Sequence, residues 1–425
     1  MMSENQRNVG PGLAPASCPF CSDNRGGGGK PQPYIRFFHT FKGRGLESLR
    51  GLVRLALIRA AIALVFSCAS IATAQQLPLF TQWENFTTAN GLPDSKVLCV
   101  TVDGQRVWAG TENGLALVEN GKVTKVLQVK DGLPQRVVTG VAVDKNTGDV
   151  WIATFGGLSR YSGGEFKNYT SLTSGLANDI VYGVAIQDEY IWAATTGGIS
   201  RLNTRTGEWS IFSEANSPME EQWAYGIAVG EGKVYFAVWG GGVLEYDIAG
   251  GYWKPYTDPD GEMEIVLFRN QGLIHIIVSN IAYNRDTKMF WASTYFGLSG
   301  YDGRDWHNYL KMDSGLASDF VNAAKSRGNE VWACTDKGLS YLDYKTNTWV
   351  TYRPAEDRNH GEIIITTPDK KVTRQETPTS LAHNYTINMD FQGDDIWVAT
   401  AQGLSHGIRK PLKEISSHES GRSGH

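Results

Sequence analysis

Short runs in which aromatic or β-branched residues alternate with polar ones recur along the chain, separated by turns that carry glycine. Alternation with a period of two is the pattern of β-strands packed face to face. One phrase returns seven times: VWAGTENGL at 107, VWIATFGGL at 150, IWAATTGGI at 191, VYFAVWGGG at 234, FWASTYFGL at 290, VWACTDKGL at 331 and IWVATAQGL at 396. Its aromatic anchors are Trp108, Trp151, Trp192, Tyr235, Trp291, Trp332 and Trp397, at spacings of 43, 41, 43, 56, 41 and 65 residues. A period of about 42 residues built from β-rich runs and a glycine turn predicts a blade of a β-propeller.

Each period resolves into four strands. A GLPxxxV-like phrase leads into an inner strand, as in Gly175 to Val181. The tryptophan strand follows, then the glycine turn, then a third strand such as LSRY. An outer strand ends the blade: FKNY at 166, WSIF at 209, WKPY at 253, WHNY at 306 and WVTY at 349. The repeated tryptophan is read as filler between neighbouring blades. Residues 82–88, QWENFTT, look like an outer strand without a blade before it, and the last blade runs out after GLSHGI without an outer strand. The reading is therefore an all-β, seven-bladed β-propeller closed by the N-terminal strand pairing with the last blade, with no exposed sheet edge at the seam.

The phrases GLPxxxV, VWxGTxxGL and WxxYT resemble the two-component regulator propeller repeat, over about residues 80–408. That resemblance implies an exported, sensor-type domain that binds a ligand. Family members often stand before a membrane span and a histidine kinase, whereas here only a short polar tail follows Arg409. Signalling would then need a separate signalling or envelope protein as partner.

Composition changes the picture little. The 425 residues suffice for two or three ordinary domains or one large repeat array, and 48 glycines with 13 tryptophans favour the array. A net charge of −4 gives no basic stripe for nucleic acid. The N-terminal region matters more. Within residues 49–74, Arg50, Arg54 and Arg59 precede an apolar stretch at 60–67 and the small-x-small site Ala72-Thr73-Ala74. This is the pattern of a secretory signal peptide, too short for a membrane span, with Gln75 as the mature N-terminus. The domain reading is a spurious or disordered leader at 1–48, with translation starting near Leu49 to Val53. A signal peptide at 49–74, the propeller at 75–410 and a disordered tail at 411–425 follow. The expected location is periplasmic or secreted, with acylation at Cys68 the lipoprotein alternative and Phe66 a poor fit to it. The Cys18–Cys21 CPFC pair has no second pair and is weak as a zinc or redox motif. A closed ring makes a monomer the simplest expectation.

Two connections of each blade open on one face, giving two rings of candidate binding residues. The first, just after the tryptophan strand, is Glu112, Phe155, Thr196, Trp239, Tyr295, Asp336 and Ala401, supplemented by Phe296. The second precedes the inner strands: Asp94 and Ser95, Gln135 and Arg136, Asn178 and Asp179, Glu221 and Gln222, His275, Ser318 and Asp319, His383 and Asn384. Aromatic faces beside amides and carboxylates suit a small molecule, a sugar or a peptide end. The alternative is that these are turn residues capping the sheets. Insertions at 258–271 and about 353–380 are expected on this same face, the second as a hairpin turning at Asp369-Lys370-Lys371.

No metalloprotease, Walker, dinucleotide or nucleophile-elbow motif occurs. Asp258-Pro259-Asp260-Gly261-Glu262 hints at a calcium loop but lacks the later carboxylates, so it reads as a turn, and no metal or cofactor is assigned. Cys99 and Cys334 lie in well-separated blades and read as small buried residues. An enzyme of lyase or hydrolase type would use His275 or His383 with Asp319 or Glu221. A third reading makes the same face a platform for a protein partner.

Overall fold

In the computed structural model, residues 77, 79–261, 267–357 and 359–409 are described. The expected leader, signal peptide and tail, with Cys18, Cys21 and Cys68, lie outside them. Seven antiparallel sheets form the propeller. Their inner strands are Val97–Asp103, Val138–Val143, Val181–Gln187, Ala224–Val229, Val278–Asn284, Val321–Arg327 and Thr386–Gln392, and each touches the inner strand of the next blade in a closed cycle. Among the described residues no helix is long and apolar enough to cross a membrane.

The tryptophan strands hold the ring together as the repeat pattern implies. Trp151 packs with Val181, Ile191 and Leu202 of the following blade, and Trp291 with Val321, Val331 and Trp349. Trp192 is wholly buried against Phe212, Phe236 and Tyr246, with ring centroids 5.4–5.9 Å away. Seven apolar clusters of this kind each join two neighbouring blades. Interdigitated aromatic rings in a dry interface make blade–blade contact the main store of stability.

The recurring T-x-x-G turn is fixed by its end residues. Thr195 Oγ1 donates to the Gly198 carbonyl (2.8 Å) and accepts from the Gly197 N–H (3.1 Å). The same pair of bonds occurs at Thr111, Thr154, Thr294, Thr335 and Thr400. In blade 4 Val238 replaces the threonine, and its turn runs through Trp239, Gly240 and Gly241 before pairing resumes at Gly242.

The strand Gln82–Phe86 lies in the sheet of the last blade, antiparallel to Gly403–Ile408. Blade 6 departs from the four-strand pattern. Its outer strand Thr348–Pro354 pairs with Gly361–Thr366, which pairs with Val372–Thr377, giving six strands. The hairpin expected around Asp369 is present, with Lys370 at φ 65° in its turn. It extends the rim of blade 6, however, and does not grow over the face around the channel. The isoleucines of Gly361–Thr366 find an unpaired strand edge beside them, and pairing with that edge satisfies backbone groups that a free hairpin leaves to water.

Cys99 and Cys334 are free and buried, and burial pushes both thiols up to about 12. Both are expected to resist a thiol-specific reagent in the native chain and to react only on unfolding. Mass spectrometry of alkylated peptides with and without denaturant checks this. Labelling of either under native conditions would contradict it.

Candidate functional site

Every inner strand carries a β-bulge after its first residue, for example between Val181 and Gly183. The extra residues are Leu98, Thr139, Tyr182, Tyr225, Ser279, Asn322 and Ile387. A bulge re-aims its side chain relative to the strand, and here the seven bulges ring the central channel. Three of them stitch neighbouring blades: Thr139 Oγ1 donates to the Val181 carbonyl (2.6 Å), Ser279 Oγ to that of Val321 (2.7 Å) and Asn322 Nδ2 to that of Thr386 (2.8 Å). Tyr182 and Tyr225, with Thr139, line a channel cavity of about 130 Å³.

From these two tyrosines a continuous run of aromatic rings spreads across blades 2 to 6. Phe155 meets Tyr182 edge-on (5.4 Å), and Tyr182 stacks on Tyr225 (4.2 Å). Tyr225 meets Trp239 (5.3 Å), Trp239 meets Tyr295 edge-on (4.7 Å), and Tyr295 meets Phe320 (4.4 Å). The backbone aims the turn residues inward. The N–H groups of Glu112, Thr196, Trp239, Tyr295 and Ala401 each donate to a carbonyl just ahead of the inner strand, at 2.9–3.2 Å.

Polar groups complete the circle. Lys96 pairs with Glu112 (2.8 Å), and Arg136 Nη1 donates to the Glu112 carbonyl (3.0 Å). The Tyr385 hydroxyl lies 3.4 Å from Asn322 Oδ1, and one carboxylate oxygen of Asp336 is sealed from solvent without a hydrogen-bond partner. Burial raises the Tyr225 hydroxyl above the ordinary range, with Tyr182 and Tyr295 adding to it. Burial does the same at Tyr295 and Tyr385, where Tyr385 and Asp336 respectively add to it. All three phenols therefore stay neutral donors at physiological pH.

Of the sequence candidates, the fold unites Phe155, Trp239 and Tyr295 in the aromatic run, joins Arg136 to the Glu112 carbonyl, and sets Asp336 near Tyr385. Others are turn braces. His275 Nδ1 accepts the N–H of Ile277 (3.1 Å) and His383 Nδ1 that of Tyr385 (3.0 Å). Asn178 Oδ1 does this for Ile180 (2.9 Å) and Asp94 Oδ1 for Lys96 (2.9 Å), so both histidines occupy an acceptor position shared round the ring. His275 is buried, with Phe296 beside it at 6.3 Å. Asp179 and Asp319 accept the N–H groups of Ser171 and Lys311, both at 2.6 Å, and their carbonyls hold Gly157 and Gly297. Gln222 is exposed. His383 and Asn384 line a separate polar cavity of about 520 Å³ at the rim, with Trp83, Glu356, His360 and Thr379. Tyr182, Tyr225, Phe320 and Tyr385 were missed. Their signal was the repeat register itself, read at the residues flanking each inner strand's first position.

No protein-family profile matches the chain, and no curated protein matches it by sequence. Solved structures do match. The extracellular domain of a proposed hybrid two-component system from B. thetaiotaomicron aligns with a TM-score of 0.59 at 18% identity, over 80% of this chain and 42% of that one. The extracellular domain of a proposed one-component system from the same organism aligns at 0.59 and 17%, over 79% and 41%. The likeness is one of fold. This chain spans about two fifths of the length of those domains.

Proposed function

We propose that this protein is an exported, sensor-like ligand-binding propeller whose ligand occupies the channel mouth against the aromatic run. The observation that carries the reading is the unbroken contact from Phe155 through Tyr182, Tyr225, Trp239 and Tyr295 to Phe320. Rings needed only for packing lie between blades, as Trp192 does. These six converge from five blades on a polar arc, the composition of a small-molecule site. Sensor function rests on the fold shared with the two extracellular domains, and export on the segment at 49–74. The same reading takes Gln82–Phe86 as the clasp that closes a monomeric ring, with any signal passing to a separate protein.

A thermal-shift screen of small sugars, peptides and aromatic metabolites tests this, because a ligand that binds only the folded state raises the melting temperature by mass action. Trp239→Ala and Tyr225→Ala are expected to weaken a hit by at least about tenfold, or about 1.4 kcal/mol, with the fold retained. A hit unaffected by both changes would move the site elsewhere.

A polypeptide partner is the second reading. Leu172, Met312 and Leu267 are 93%, 84% and 73% exposed, all on connections between an outer strand and the next inner strand. Trp223 beside the mouth is 48% exposed. A partner protein would cover such side chains. Lyase or hydrolase chemistry draws no support from His275 or His383, which serve as turn acceptors.

A further inference from the structure

Asp258 opens the long connection between the outer strand of blade 4, Trp253–Tyr256, and blade 5. It is only 7% exposed. Its Oδ1 accepts the Asp260 N–H (2.8 Å), while its Oδ2 is sealed from solvent with no hydrogen-bond partner. Asp260 repeats the arrangement. Its Oδ2 accepts the N–H groups of Leu267 (3.0 Å) and Phe268 (3.2 Å), and its Oδ1 is sealed and unpartnered.

The cations nearby in the sequence are engaged elsewhere. Arg269 grips the Asp313 carboxylate and the Asn308 carbonyl, and Lys254 lies over the Tyr256 ring at 4.6 Å. A buried carboxylate is costly unless it is paired or bound to a metal. Asp258 is such a group, and the half-buried Asp260 two residues on adds a second sealed, unpartnered oxygen, so the pair calls for a positive charge.

We propose that Asp258 and Asp260 hold one divalent cation, and that the cation is Ca²⁺. All-oxygen donors select a hard ion, and Ca²⁺ tolerates the irregular, partly hydrated shell that two carboxylates leave. Among the described residues no third acidic, histidine or cysteine ligand joins them, so backbone carbonyls and water fill the remaining positions. Few charged ligands place such a site with the weak calcium sites of extracellular modules, at about 10⁻⁴–10⁻³ M. The bound ion fastens the start of an insertion whose Arg269 reaches across to Asp313.

Isothermal titration of the EDTA-stripped full chain with CaCl₂ tests this, with melting curves recorded in parallel. One Ca²⁺ per chain is expected, in that affinity range, with a melting temperature that climbs as CaCl₂ is added. Asp258→Asn and Asp260→Asn should each weaken binding at least about tenfold, whereas Asp357→Asn, at an exposed site, should leave it unchanged. In EDTA, Asp258→Asn should melt no lower than the native chain, because it removes an unpaired buried charge. A lower melting temperature there would make Asp258 a structural group and overturn the proposal. So would the absence of heat and of thermal shift up to about 20 mM CaCl₂, well above the weakest sites of this kind, or undiminished binding in both variants.

Discussion

Replacing Trp83 with alanine is expected to lower the unfolding free energy of the whole ring by about 3–5 kcal/mol, the range for losing a large buried aromatic. Trp83 is 6% exposed although it lies near the start of the described chain. Its ring meets Phe80 and Tyr352, both at 6.0 Å, within a cluster that also takes in Trp332 of blade 6 and Met389 and Ile396 of blade 7. The backbone N–H of Trp83 donates to Thr379 Oγ1 (2.7 Å), and two residues on Asn85 Oδ1 accepts from Ser405 Oγ (2.7 Å) across 320 residues of sequence. Terminal segments of most domains fray at little cost. In an open repeat array, loss of an end unit stays local because each unit touches only its neighbours. If Gln82–Phe86 is the clasp, its loss opens a ring that has no other end, and every blade should melt earlier. Denaturant unfolding followed by far-ultraviolet circular dichroism and by tryptophan fluorescence checks this: both midpoints should fall together. An unchanged main transition, with new protease sensitivity confined to residues 386–408, would show that the strand is only an appendage.

Gly198→Ala should cost about 2–5 kcal/mol, combining the strain of a disfavoured backbone region with overpacking. Gly198 has φ 112°, and an added Cβ would lie 2.3 Å from the carbonyl oxygen of Phe212 on the outer strand. That oxygen is backbone and cannot swing aside. The corresponding glycine of every blade shows the same close approach, from 2.2 Å at Gly242 to 2.8 Å at Gly338. Gly104 is the control. It also has positive φ, at 63°, but nothing lies within 4 Å of its Cβ position, so Gly104→Ala should cost only about 1 kcal/mol. Equal losses in the two variants, measured by chemical denaturation, would assign the effect to backbone conformation alone.

These two positions differ in how far the sequence revealed them. Gly198 stands in a phrase repeated seven times, and its requirement arises within one blade, from a turn and the strand that returns beside it. Local constraints leave a periodic mark, which is why blade number, strand order and interblade tryptophans were legible. The hairpin at Asp369 was legible as a hairpin for the same reason. Its docking on the rim was not, because strand pairing depends on which edge is free in the folded molecule.

The site shows the same division. Phe155, Trp239 and Tyr295 stood out because their turn position varies while its neighbours repeat. Tyr182 and Tyr225 occupy bulges, where one extra residue turns a side chain toward the axis, and nothing in a single strand announces a bulge. Their stacking needs two blades side by side. His275 and His383 were legible only as candidates of the second ring and of the alternative enzyme reading, and the fold shows what the sequence did not, each Nδ1 accepting the backbone N–H two residues on. Asp258 read as part of a simple turn until burial left its second oxygen without a partner. The sequence by itself determined the repeat, the strands and the turns, since those follow from contacts within about 42 residues. Only the tertiary structure decided which side chains converge, which polar atoms lose water and where the insertions lie, because ring closure brings together residues hundreds of positions apart.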